Sequence, residues 1–203
     1  MENIFSKVVS AVFQPVFMPV YTYLLLYNIN SYISLALSPS VKILLFLMIL
    51  FSTVILPVLV FIIFKRNHVV SSFHMKTNEE RNYPYLVTAL IYFGLYLLLS
   101  KTVLHPIYSV FFLAATVLSL VLLFVNLRFK ISAHMAGLGG VTGLLAGIAF
   151  RWNLELTLPV IIAIAIAGLV AYARLKLNAH KPSEVYLGFL AGVSVFLLFT
   201  LLL

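Results

Sequence analysis

Apolar runs of about 20 residues, each closed by a charge, a proline or a short polar stretch, make up most of this chain. A helix crosses the hydrocarbon core of a bilayer in roughly 20 residues. Lipid leaves no partner for an open backbone group, so such runs must bond internally as helices. Six runs are clear, at about 41–64, 84–100, 103–126, 134–150, 156–173 and 185–203. The expected fold is therefore all-α, a polytopic transmembrane helix bundle with six core spans. A further run at about 12–27 holds Gln14, Pro15 and Pro19 and admits three readings: it spans, re-enters or lies at the interface. The chain divides accordingly into an N-terminal apolar or interfacial segment with its loop, 1–40, and a six-span domain, 41–203.

Composition excludes the soluble classes. Apolar residues make up 64% of the chain and charged residues 9%, where a soluble domain carries roughly 25% charged residues. The net charge of +8 is scattered between apolar runs instead of forming a basic patch, so nucleic acid is not an expected partner. With no cysteine there is neither a disulfide nor a thiolate metal site. Residues 1–7 show no basic region followed by a small-residue cleavage site and are expected to be retained. The expected location is a bacterial-type inner membrane.

Ionisable residues fall at the ends of runs, as the cost of about 2.5–3.5 kcal/mol for a charge at a helix centre requires. None sits at a midplane, which disfavours a transporter built around a central ion site. Alternating spans then place the loops 65–83, 127–133 and 174–184 on one membrane face. Lys42, Lys101, Arg151, Glu155 and the polar stretch 28–40 belong to the other. The first face carries nine Lys and Arg between residues 65 and 181 against three on the second, which the positive-inside rule assigns to the cytoplasm. Discounting Lys76, Arg81, Lys130 and Arg174 as ligand contacts leaves five against three, and the orientation stays open.

Small residues recur at four-residue spacing as Gly139, Gly143 and Gly147, as Gly188 and Gly192, and as Ala163, Ala167 and Ala171. That spacing lets helix backbones approach closely in lipid, so the last three spans are expected to form a tight group.

Three polar clusters on the shared face carry chemistry. In 173–184, Pro182 suits the first turn of a helix entering the last span. Glu184 follows His180 by four residues and can bond one imidazole nitrogen, leaving the other as a nucleophile. Arg174 offers a planar fork for phosphate oxygens. The bland alternative is a snorkelling boundary loop. In 130–134, Lys130 and Ser132 precede His134, which sits at a helix N-terminus. The dipole disfavours a charged imidazole there, so a proton-donating role needs an anion nearby. Ser132 serves equally well as an N-cap. In 65–83, Lys76 and Glu80 fit an ordinary surface pair, and Arg81 at the edge of its span is the best ligand contact.

Together these residues resemble the type 2 phosphatidic acid phosphatase superfamily. Its third motif, Ser-Arg, five residues, His, three residues, Asp, is matched in spacing by Ala173-Arg174, His180 and Glu184. Its second, Pro-Ser-Gly-His, looks like Ile131-Ser132-Ala133-His134. The first, Lys, six residues, Arg-Pro, is met loosely by Lys76, Arg81 and Pro84, with His74 at the position seven before Arg81. The departures are Glu for Asp at 184, Ala at 133 and 173, and the shortened first motif. The order of motifs and the span layout extend the likeness over about residues 41–203.

The resemblance implies that His180 attacks phosphorus to form a phosphohistidine, with Glu184 orienting it and His134 protonating the leaving oxygen. It implies that Arg174, Arg81, Lys76 and Ser132 hold the phosphoryl oxygens, without a metal or other cofactor. The expected function is hydrolysis of a lipid phosphomonoester or diphosphate, the partners being that lipid phosphate and the bilayer. The alternatives are a head-group-binding membrane protein without turnover and a small transporter.

Overall fold

The computed structural model describes residues 2–29, 35–68, 70 and 78–203. Among these the chain is all helix: α1 (Glu2–Val12), α2 (Met18–Asn28), α3 (Pro39–Leu50), α4 (Leu56–Arg66), α5 (Asn78–Leu99), α6 (Ile107–Asn126), α7 (Ala133–Trp152), α8 (Thr157–Lys176) and α9 (Pro182–Leu201). Seven helical stretches are long and apolar enough to cross a membrane: Asn3–Asn28, Pro39–Arg66, Glu80–Leu99 and α6 to α9. The protein is a multi-pass membrane helix bundle.

Two of the seven stretches are broken, and the breaks meet. α1 ends near Gln14, which is extended, and a 3-10 turn at Pro15–Phe17 leads into α2. Pro15 and Pro19 explain this, since each lacks the N–H that a continuous helix would use. Between α3 and α4 the helix widens to a π turn at Phe51–Ile55, just before Pro57. The 3-10 turn packs against this π turn. The first long run is thus one span with an internal bulge, which its hydropathy does not reveal.

α5 begins several residues before the apolar run predicted at 84, so Arg81 stands in its first turn. Pro84 is the seventh residue of α5 and lies inside the helix, which lacks one intrahelical hydrogen bond there.

α6 and α7 are the most buried spans, and α7 pairs most closely with α9. The glycines explain the approach. A Cβ on Gly188 would stand 2.6 Å from the Ser132 carbonyl oxygen, and one on Gly192 would collide with the Ala136 carbonyl. From the other side, Gly139 and Gly143 face the carbonyls of Phe189 and Val193. α8 buries Ala163, Ala167, Val170 and Ala173, and it packs mainly on α7 and α1. The alanine face of α8 therefore meets α1 as well as the glycine-rich pair.

Candidate functional site

The loop between α8 and α9 has a geometry that its sequence explains. α8 ends in a Schellman turn: Ala179 N–H donates to the Arg174 carbonyl at 3.1 Å and Asn178 N–H to that of Leu175 at 2.9 Å. Asn178 takes the left-handed conformation this turn needs, with φ of 51°, which asparagine tolerates better than most residues. The chain then turns extended at Lys181, and α9 starts with Pro182 in its first turn. Five residues between Arg174 and His180 are what this reversal takes.

His180 Nδ1–H donates to Glu184 Oε2 at 2.7 Å, and both side chains are only 8% exposed. A carboxylate can only accept, so the proton sits on Nδ1 and Nε2 keeps its lone pair. Burial, followed by the charges of Arg174 and Lys130, pushes His180 down to about 4 despite the opposing Glu184. This environment favours the neutral ring.

The loop before α7 closes on this turn. Ser132 N–H donates to the Glu184 carbonyl at 3.1 Å, and Lys130 Nζ donates to the Ala179 carbonyl at 2.6 Å. Burial lowers the pKa of Lys130; the charges of Arg81 and Arg174 lower it further, and Glu184 opposes them. Arg81 reaches the group from α5, whose start is tied to the end of α6 by Asn126 Nδ2–H donating to Asn82 Oδ1 at 2.9 Å. His134 lies within the fields of Arg174 and His180, and its Nε2–H donates to the Ser10 carbonyl at 3.1 Å.

Arg81, Ser132, His134, Arg174, His180 and Glu184 thus share one end of the bundle. Lys76 and His74 lie outside the described residues. Ser132 occupies the N-cap position of α7, yet its hydroxyl caps nothing. Its Oγ and the Arg174 Nε are buried without a hydrogen-bond partner among the described residues. Buried donors left unmade cost about 1–3 kcal/mol each, and two beside a neutral imidazole suit an anion with several oxygens.

Lys130 is legible in the sequence beside the phosphate ligands, and its tie to the Ala179 carbonyl needs the fold. One contributor escapes the sequence reading. α1 enters through Ser10, and its signal is a pair of serines, Ser6 and Ser10, one turn apart in an apolar helix.

Comparison with models of known protein families, with characterised proteins and with solved structures finds no match to this chain.

Proposed function

We propose that the protein is a membrane-embedded phosphatase that hydrolyses a lipid phosphomonoester or diphosphate through a phosphohistidine, as its resemblance to the type 2 phosphatidic acid phosphatases implies. The observation that carries this reading is a buried His180, oriented by Glu184 at 2.7 Å and set in the fields of Arg174 and Lys130.

The Nε2 lone pair of His180 forms a bond to phosphorus as the bond from phosphorus to the lipid oxygen breaks. Glu184 accepts the Nδ1 hydrogen bond and stabilises the positive charge that grows on the ring. Arg174, Arg81 and Ser132 face the phosphoryl oxygens, whose charge spreads in the transition state. His134 has its Nε2–H committed to the Ser10 carbonyl, so its Nδ1 lone pair takes the acidic proton of a monoanionic phosphate and delivers it to the departing oxygen. In the second step water attacks phosphorus and returns a proton to His134. The phosphorus–nitrogen bond breaks, its electron pair returns to His180, and inorganic phosphate leaves.

The test is phosphate release from a panel of lipid phosphates in detergent with chelator present, comparing wild type with His180→Ala. Release that persists in chelator and is abolished in the variant supports the reading. No release by folded wild type from any lipid overturns it. Stabilisation by inorganic phosphate in that second case identifies a head-group binder.

A further inference from the structure

A serine or threonine buried on a helix in apolar surroundings satisfies its hydroxyl by donating to the carbonyl one turn back. This chain follows that rule at Thr22, Thr116, Ser119, Thr142 and Thr200, with bonds of 2.7–2.9 Å. Ser109 makes the related bond to the Pro106 carbonyl. Ser6 and Ser10 do not, and neither does Thr53 in the π turn. Ser6 is 0% exposed and Ser10 is 8% exposed, and the hydroxyl oxygen of each is buried without a partner among the described residues. Spaced four apart, they share one face of α1. Ser10 also holds the His134 ring through its carbonyl, and α1 packs along α8, the helix that ends beside Arg174. α1 therefore reaches the site at His134, and both unmade hydroxyls lie on its buried face.

We infer that α1 forms the leaving-group wall of the phosphate site, with Ser6 and Ser10 donating to oxygens that the substrate carries next to its bridging oxygen. The inference rests on the phosphohistidine reading above. In an in-line displacement the nucleophile and the leaving oxygen lie on opposite sides of phosphorus. His134, which protonates the leaving oxygen through Nδ1, marks the leaving-group side, and α1 holds the other edge of its ring through the Ser10 carbonyl. Hydroxyls there suit a leaving group rich in acceptors. Two sources share that chemistry: the inner phosphate of a lipid diphosphate, and the ester oxygens of a diacylglycerol phosphate. A simple alkyl monophosphate presents only methylenes at the same place and leaves both hydroxyls unmet.

The experiment compares wild type with the Ser6→Ala, Ser10→Ala double variant on phosphatidate, farnesyl diphosphate and dodecyl phosphate in detergent. Alanine keeps the helix and the Ser10 carbonyl, and its helix propensity exceeds that of serine. Wild type is expected to prefer at least one oxygen-rich substrate over dodecyl phosphate. The double variant is expected to cut that preference in kcat/KM by about tenfold or more, the worth of two hydrogen bonds at about 1 kcal/mol each. The substrate that loses the preference identifies the source of the oxygens. An equal loss on all three substrates, or no loss on any, overturns the inference and makes the serines packing groups. Activity that responds to His180→Ala but not to the serines separates failure of this inference from failure of the phosphatase reading. Should no lipid be turned over, the readout becomes thermal stabilisation by inorganic pyrophosphate against inorganic phosphate. A pyrophosphate excess that vanishes in the double variant supports α1 as a ligand wall, and equal shifts in both proteins overturn it.

Discussion

The backbone amide of Ser132 donates to the carbonyl of Glu184 at 3.1 Å, so the first turns of α7 and α9 are fixed to each other at the site. The glycines beneath this bond set the distance between the two helices. A Cβ on Gly192 would meet the Ala136 carbonyl and one on Gly139 the Phe189 carbonyl, both backbone groups that cannot rotate away. Gly192→Ala or Gly139→Ala is expected to cost about 1–3 kcal/mol, the usual cost of overpacking, and to lower phosphate release by parting Ser132 from Glu184. Gly168, on an open face of α8 with nothing within 4 Å of a built Cβ, is the control. Gly168→Ala is expected to be neutral or stabilising by up to about 1 kcal/mol. Thermal unfolding in detergent checks all three, and equal melting temperatures would show that the close pairing does not hold these helices.

Asn178 governs where His180 lands. Its φ of 51° is open to glycine at no cost and to a β-branched residue only at about 1–2 kcal/mol. Asn178→Gly is expected to leave activity and stability near wild type. Asn178→Val is expected to lower both, because the Schellman turn that brings the chain back over Arg174 opens. The pair is read by melting temperature and kcat together; equal behaviour of the two variants would remove the turn from the account.

The parts of this site that were legible in the sequence are local in the chain. Arg174, His180 and Glu184 meet because a helix end, a left-handed residue and a first helical turn lie within eleven residues, and each obeys a rule that reads along the sequence. Shared sidedness followed from counting spans. The contacts that were not legible join distant segments. Nothing in residues 2–12 names His134 as the partner of Ser10, 124 residues away, since apolar patterning says that a helix is buried without saying against what. Asn82 and Asn126 likewise look like boundary residues until the hydrogen bond between them is seen. The π turn at Phe51–Ile55 is invisible because hydropathy does not register one extra residue in a turn.

Arg174 presents its guanidinium among Lys130, His134 and His180 with Nε unpartnered. Lysine keeps the charge there and loses the planar fork. Arg174→Lys is expected to raise KM for lipid phosphate by roughly 10–100-fold, the worth of one charged hydrogen bond at about 1.5–3 kcal/mol. The same variant should weaken protection by inorganic phosphate in thermal melts. Unchanged KM and protection would place the phosphate elsewhere.

Glu184 acts on His180 and not on the substrate, so its loss should appear in turnover. Glu184→Gln keeps the size of the side chain but no longer offers a charged acceptor to Nδ1. The expectation is a fall in kcat of roughly 10²–10⁴-fold, the range for orienting carboxylates in triads and for acid–base groups, with KM nearly constant. Glu184→Asp retains the acceptor on a shorter arm and should fall between the two. A kcat loss below tenfold for the amide would deny Glu184 its orienting part.

The pairing of His180 also predicts how stability responds to acid. Its folded-state pKa is depressed from 6.5 to about 4, first by burial and then by Arg174 and Lys130. Between those values the unfolded chain binds a proton at this ring and the folded protein does not. Stability therefore rises with pH through the window. This contribution is fully present above pH 6.5 and is lost as the pH falls toward 4. Replacing the ring by an amide that does not titrate, His180→Asn, should flatten the slope of unfolding free energy between pH 4 and 6.5 relative to wild type. Chemical or thermal unfolding at a series of pH values measures it. Parallel slopes in the two proteins would mean that His180 titrates alike in both states, and the neutral nucleophile would then lack its physical basis.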